Sequence, residues 1–255
     1  MSEPLLRAEG ITKQYGQVTA LQGADFDVHA GEVVALIGDN GAGKSTLVRM
    51  LSGSEQPDAG RIEFENREVV LGSPIAAREL GIETVFQDLA LAPHLDPIQN
   101  LYLGREVMRK GLLGKLGFMD TAAMRESGER NFTSLGSTVR SFSSPVGAMS
   151  GGQKQSIAVA RAAAWASKVI FLDEPTAALG VVQTKGVLDL IRRVRDEGIG
   201  VVFISHSMPH VLEVSDRVQV MRHGRRVAVY RGSGTSVEEL VGAMTGALDL
   251  REAGA

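Results

Sequence analysis

No cysteine occurs in the 255 residues, which excludes disulfides, thiolate metal sites and thiol catalysis. A basic excess is missing too: 27 Lys and Arg stand against 30 Asp and Glu, a net charge of −3, so no overall excess holds nucleic acid by its phosphates, such a role would need a local patch, and no nucleic-acid partner is expected. No apolar run approaches the ~20 residues that span a bilayer, and the start, MSEPLLRAEG, has no basic segment leading into an apolar one. The chain is therefore expected to stay on the side of the membrane where it is made and to reach a membrane only through a partner. Internal repeats and low-complexity linkers are absent as well. What is present is 44% hydrophobic content, enough for a sizeable core.

The most informative stretch is GDNGAGKST, Gly38 to Thr46, which fits G-x-x-x-x-G-K-[ST] and lies between an apolar run, Val33 to Ile37, and a helix-like run, Leu47 to Leu51. Glycines let such a loop wrap until successive backbone N–H groups meet phosphate oxygens, and the helix that follows turns its positive end to the same anion. The loop residues Gly38, Asp39, Asn40, Gly41, Ala42, Gly43, Lys44, Ser45 and Thr46 are thus read as a nucleotide site. Lys44 is placed to meet the β- and γ-phosphates and the Ser45 hydroxyl to hold Mg²⁺.

Around this loop, Phe26 and Val28 alternate with Asp25, Asp27 and His29, and RIEFENREVVL alternates again with a break near Asn66, so a small antiparallel sheet is predicted. IAARELGIETVFQ reads as a short helix and a buried strand ending at Gln87. Residues 88–149 carry helix fragments and few strand signals, and a helical subdomain inserted at about 88–160 is expected within a single domain covering 1–255. Its cluster of Arg105, Arg109, Lys110 and Lys115 among Leu112, Leu113, Leu116 and Phe118 reads as a solvated basic face beside residues filling the subdomain's own core, with a docking surface for another protein as the other reading. From residue 150 onward, a helix to about Ala166, the strand VIFLDE, an amphipathic run and the strand GVVFISH describe a βαβ crossover in a parallel sheet. A hairpin turning at His223-Gly224 follows, then a last helix behind Ser236…Glu239, and REAGA reads as a frayed end.

Two features carry the remaining chemistry. Adjacent acids at the end of a buried strand, Asp173-Glu174, are costly unless paired or bound to metal; beside a phosphate loop, Asp173 is assigned to Mg²⁺ and Glu174 to the water that attacks the γ-phosphorus. Ser150-Gly151-Gly152-Gln153 combines a capping box with two glycines at a helix start, more than a cap needs, and reads as a second phosphate-directed element. Since the loop at 38–46 already surrounds one face of a triphosphate, this element fits as the other half of a site formed between two copies. Tyr15, ahead of Gly16, reads alone as a core or surface aromatic, and His206 as a polar strand end.

Walker A at 38–45, a Q-loop at Gln87, MSGGQ at 149–153, VIFLDE and His206 occur in the order found in ATP-binding subunits of ABC transporters, and the chain resembles that family. The resemblance implies an α/β P-loop NTPase with a parallel-sheet core, an antiparallel β subdomain and an inserted helical subdomain. It implies Tyr15 stacking on adenine, Gln87 reaching Mg²⁺ and the attacking water, and His206 contacting the γ-phosphate. GDNGAGKST, GIETVFQDLAL, NLYLGRE, EPTAALGV and SHSMPHVLEVSDRV are similar to importers of the ribose, xylose and fructose class. An ATPase driving monosaccharide import is thereby implied, peripheral at the cytoplasmic face of the inner membrane. Its partners would be an integral membrane permease, a secreted or periplasmic sugar-binding protein, and a second copy or another cassette closing head to tail. The alternative is a soluble ABC ATPase without a permease. Two departures stand out: Met149 replaces the commoner leucine, and the family's loop aspartate is missing in Ala177-Ala178-Leu179-Gly180, which bears on how tightly two composite sites communicate and removes no catalytic group.

Overall fold

A computed structural model of the chain describes residues 3–134, 139, 141–177 and 179–247. The expected fraying of REAGA and the residue Ala178 lie outside the described residues. In chain order the elements are β1 (Leu6–Tyr15), β2 (Val18–Val28), β3 (Val33–Ile37), α1 (Lys44–Leu51), β4 (Ala59–Phe64), β5 (Arg67–Glu68), α2 (Pro74–Glu79) and β6 (Ile82–Val85). Then come α3 (Pro97–Tyr102), α4 (Leu112–Lys115), α5 (Thr121–Ser134), a 3₁₀ turn (Val146–Ala148), α6 (Gly151–Trp165), β7 (Val169–Asp173) and α7 (Val181–Asp196). The chain continues through β8 (Gly200–Ile204), α8 (Met208–Val214), β9 (Arg217–Arg222), β10 (Arg225–Arg231) and α9 (Val237–Thr245).

The residues fall into two compact units, 1–87 with 165–175 and 191–255, and 88–164 with 176–190. The first unit holds both sheets. One has strand order β2-β1-β4-β5 and is antiparallel; the other has order β10-β9-β3-β8-β7-β6, parallel throughout except for the β9–β10 hairpin. The sequence pattern explains the division. β3, β7 and β8 are uniformly apolar and buried along their length, as strands covered on both faces must be, whereas β2 alternates, with Ala24, Phe26 and Val28 buried and Asp25 exposed. Both sheets and α1 feed one apolar core, in which the rings of Phe26 and Phe171 lie 6.4 Å apart. The break expected near Asn66 is a turn, with Glu65 and Asn66 both at positive φ, and the last hairpin turns at His223-Gly224 as predicted.

An ionic knot ties β2 to the β9–β10 hairpin. Arg217 donates to Asp27 Oδ2 at 2.6 Å and to Glu32 Oε1 at 2.5 Å, Arg226 donates to Asp27 Oδ1, and the buried Gln219 donates to the Asp27 carbonyl at 2.6 Å. Burial alone would raise the Asp27 carboxyl, but the two guanidiniums outweigh it and hold it below the ordinary aspartate value.

The second unit has its own core of Ile98, Leu101, Tyr102, Met124, Phe132 and Val146. Gly128 lets α5 approach α3, since a Cβ there would stand 2.8 Å from Ile98 Cδ1. Buried Asn100 is fully used, accepting from Ala92 N and donating to the carbonyls of Ala92, Leu95 and Asp96, which fixes the loop before α3. One expectation is overturned: Leu112, Leu113, Leu116 and Phe118 do not fill this core. They are between 47% and 73% exposed, because they ride on a hairpin around the four-residue α4, turned back by Gly111 and Gly117 at positive φ, and no described element covers them.

Candidate functional site

The phosphate loop leaves β3 at the carboxyl end of the parallel sheet, where ligands gather in open α/β folds. Its glycines have different tasks. A Cβ on Gly38 would stand 2.3 Å from the Met221 carbonyl, so this glycine lets the loop pass close to β9. Gly43, at φ 99°, caps α1 where a Cβ would meet the Ala20 carbonyl at 2.7 Å. The start of α1 has neither a side-chain cap nor an acid in its first turn, so its backbone N–H groups and dipole are left for an external anion.

Beside it lies a cleft of about 360 Å³ lined by residues 18–20 and 40–46 together with Gln87, Asp173, Glu174, Ile204 and His206. Lys44 is buried and donates back to the carbonyls of Gly38 at 2.7 Å and Asp39 at 3.1 Å. Burial pushes its ammonium below the ordinary lysine value, with Glu174, Asp173 and Asp39 pulling the other way. Asp173 closes β7, and burial raises its carboxyl against the opposing charges of Lys44, His206 and Arg49. Glu174 follows at φ 52°, a left-handed conformation unusual for glutamate, held by its N–H donating to the Ile204 carbonyl at 3.0 Å. Its carboxyl is likewise raised by burial, with His206 opposing. Glu174 Oε1 is buried and accepts no hydrogen bond, and exposed His206 brings Nε2 to within 3.0 Å of it.

An acid pair at the end of a buried strand, Asp173 buried and Glu174 half-buried beside a lysine, suits a cation and an ordered water. No group of three His, Cys, Asp or Glu side chains able to hold a metal occurs among the described residues. Mg²⁺, which takes one or two protein oxygens and completes its shell with phosphate and water, fits this donor set of Ser45, Gln87 and Asp173.

The other expected site residues lie elsewhere. Asp39 lines a neighbouring cavity of about 280 Å³ with Arg222, His223 and Thr245. Tyr15, at the end of β1, is outside the cleft lining; its hydroxyl donates to Glu55, and Lys13 Nζ lies 5.8 Å from its ring centre. Ser150 to Gln153 belong to the other unit, where both halves of the capping box form: Ser150 N donates to Gln153 Oε1 at 3.0 Å and Gln153 N to Ser150 Oγ at 3.4 Å. Gly180 opens α7, its carbonyl accepting from Thr184 N at 2.9 Å. Val18, Thr19 and Ala20 line the cleft without having been expected there, because their stretch of β2 shows no alternation that would have announced it.

A parallel sheet with a glycine-rich loop leaving one strand for a helix, and an acid pair ending a strand two places away, defines a P-loop nucleotide-binding domain. The comparisons with known proteins narrow this. Residues 21–177 match the family model described as ABC transporter, and the chain belongs to that family. It is 48% identical, over 96% of its length and 95% of the relative's, to the fructose import ATP-binding protein FrcA of Rhizobium meliloti. It is 43% identical, over 94% of both, to the xylose/arabinose import ATP-binding protein XylG of Sulfolobus acidocaldarius. It is 40% identical to a ribose import ATP-binding protein RbsA 2 of Burkholderia pseudomallei, matching 95% of this chain and 47% of that one. Among solved structures, a nucleotide-free ATP-binding cassette from an ABC transporter superposes with a TM-score of 0.78 at 28% identity, covering 95% of this chain and 96% of that one.

Proposed function

We propose that the chain is the ATP-hydrolysing subunit of an importer and that its cargo is a monosaccharide. The observation that carries hydrolysis is the convergence of Lys44, Asp173, Glu174 and His206 on one cleft beside an uncapped helix start. The cargo class rests on the relatives, which are named as importers of fructose, xylose or arabinose, and ribose.

In this reading the loop N–H groups from Gly41 to Thr46 hold the phosphates of ATP, Lys44 exchanges its carbonyl partners for the β- and γ-phosphate oxygens, and Tyr15 stacks on adenine. Glu174 Oε accepts a proton from the water that attacks the γ-phosphorus, the bond to the β-γ bridging oxygen breaks, and ADP leaves with that electron pair. Gln87 orients the same water and His206 donates to the γ-phosphate. Mg²⁺, held by Ser45, Gln87 and Asp173, would neutralise charge on the phosphate oxygens. Ser150, Gly151, Gly152 and Gln153 serve a second copy's nucleotide, so two chains close head to tail on two ATP.

The whole chain then acts as one cassette, with the helical segment at about 88–160 as an insertion in its core. It lies at the cytoplasmic face of the membrane against an integral permease, which a secreted or periplasmic binding protein supplies with sugar. ATP turnover by the purified chain, abolished in Lys44→Ala, tests the catalytic part; near-normal turnover in that variant would refute it. Sugar-stimulated turnover in vesicles holding permease and binding protein tests the transport part.

A further inference from the structure

The hairpin from Val107 to Asp120 is a built feature that contributes no residue to the lining of the cleft. It closes with Arg109 N donating to the Phe118 carbonyl at 2.9 Å and Asp120 N to the Val107 carbonyl at 2.7 Å, around the bridge between Met108 and Met119. Within it Phe118 N donates to the Leu113 carbonyl, and a Cβ on Gly114 would stand 1.8 Å from the Arg109 carbonyl, so the turn is tight. On this scaffold Met108, Leu112, Leu113, Leu116, Phe118 and Met119 are 46–73% exposed. Leu112 and Leu116 sit one helical turn apart and share a side.

The charges are one-sided. Residues 107–119 contain Arg109, Lys110 and Lys115 and no acid, although the whole chain has a net charge of −3. Among the described residues no carboxylate pairs with these three cations. The flanking acids are occupied by backbone: Glu106 accepts from Gly104 N and Asp120 from Ala123 N. Leucines and a phenylalanine standing out beside unpaired lysines and arginine have the composition of an interfacial anchor, whose apolar side chains enter the headgroup boundary while the cations meet anionic lipid. A second copy suits the patch poorly, since it would oppose like charges across the contact.

We propose that this hairpin is a docking surface for an anionic lipid bilayer. The contact requires neither ATP nor a permease, so it extends the transport reading without resting on it. Each cation near such a surface adds about a fivefold gain in partition, so charge reversal at two of them costs at least about twenty-five-fold.

The test is flotation of the full chain with protein-free vesicles of phosphatidylcholine, alone or mixed with phosphatidylglycerol. The expected result is binding to the mixed vesicles only, weakened by added salt, and lost in both Lys110→Glu/Lys115→Glu and Leu112→Ser/Phe118→Ser. ATP turnover in solution and the urea midpoint check that these variants fold. Phe118→Trp gives a second reading, a blue shift of emission on the mixed vesicles. No binding to mixed vesicles at low salt, equal binding by the charge-reversed variant, or binding only to vesicles containing the permease each overturns the proposal, the last by making the occupant a protein.

Discussion

Glu174 occupies a backbone region that costs a residue with a side chain roughly 1–2 kcal/mol, and it follows a strand buried along its whole length. The surrounding sheet imposes that conformation, and it lets the carboxylate enter the cleft beside Lys44 and His206 instead of continuing the strand direction. The role of general base proposed for Glu174 makes two linked predictions. Glu174→Gln keeps the shape and removes the proton acceptor, so turnover should fall about 10²- to 10⁴-fold. Because burial raises the wild-type carboxyl, it protonates at higher pH than an ordinary glutamate, and turnover should decline on acidification from above the usual range near 4.3. A pH profile of kcat for the wild-type enzyme checks this, and a decline confined to the ordinary carboxylate range would remove Glu174 from the role.

At the scale of elements, glycines and ion pairs decide how closely segments pack. Gly152 at the start of α6 faces Gln183 of α7, where an added Cβ would stand 2.7 Å from Gln183 Cγ. Gly152→Ala should therefore cost about 1–3 kcal/mol by overpacking. Gln183→Ala in the same chain should recover most of it, and additive losses in urea unfolding would show that the contact is not the cause. In the other unit, Asp27→Asn weakens hydrogen bonds to two guanidiniums and should cost about 1.5–3 kcal/mol at neutral pH. The sign of the pH dependence follows from the depressed carboxyl: its stabilisation is present above the unfolded value near 3.9 and is lost as pH falls through the lower folded value, so the gap between wild type and variant should close in that acid window. Elements such as β7, the capping box at Ser150 and the hairpin at His223-Gly224 were legible in the sequence because short-range chemistry specifies them. The Asp96…Gln99 capping box is specified by the same short-range chemistry. The exposure of Leu112, Leu116 and Phe118 was not legible, since periodicity marks residues that can be buried and says nothing about whether a partner element exists to cover them. The partners of Asp27 were hidden for a related reason: Arg217 and Arg226 lie about 190 and 199 residues away.

For the whole molecule, the proposed mechanism turns on two groups of phosphate-directed features. The cleft with Lys44 and the acid pair belongs to the first unit, and the exposed Ser150-Gly151 turn, with its capped helix start, to the second. Closure driven by ATP requires the closed state to bind nucleotide better than the open one, and a triphosphate held by groups from two chains supplies that difference. A site divided in this way has a genetic signature that an undivided site lacks. In a dimer joining one Lys44→Ala chain to one Ser150→Ala chain, both lesions fall on the same composite site, because the damaged loop of the first chain faces the damaged turn of the second, and the other site stays whole. Such a mixed dimer, isolated with two different affinity tags, should bind one ATP per dimer with near wild-type affinity, whereas each homodimer carries a defect in both sites. If both sites of the mixed dimer are instead damaged, or the Ser150→Ala homodimer binds two ATP as the wild type does, each nucleotide is held by one chain alone and closure must draw its energy from somewhere other than a shared phosphate.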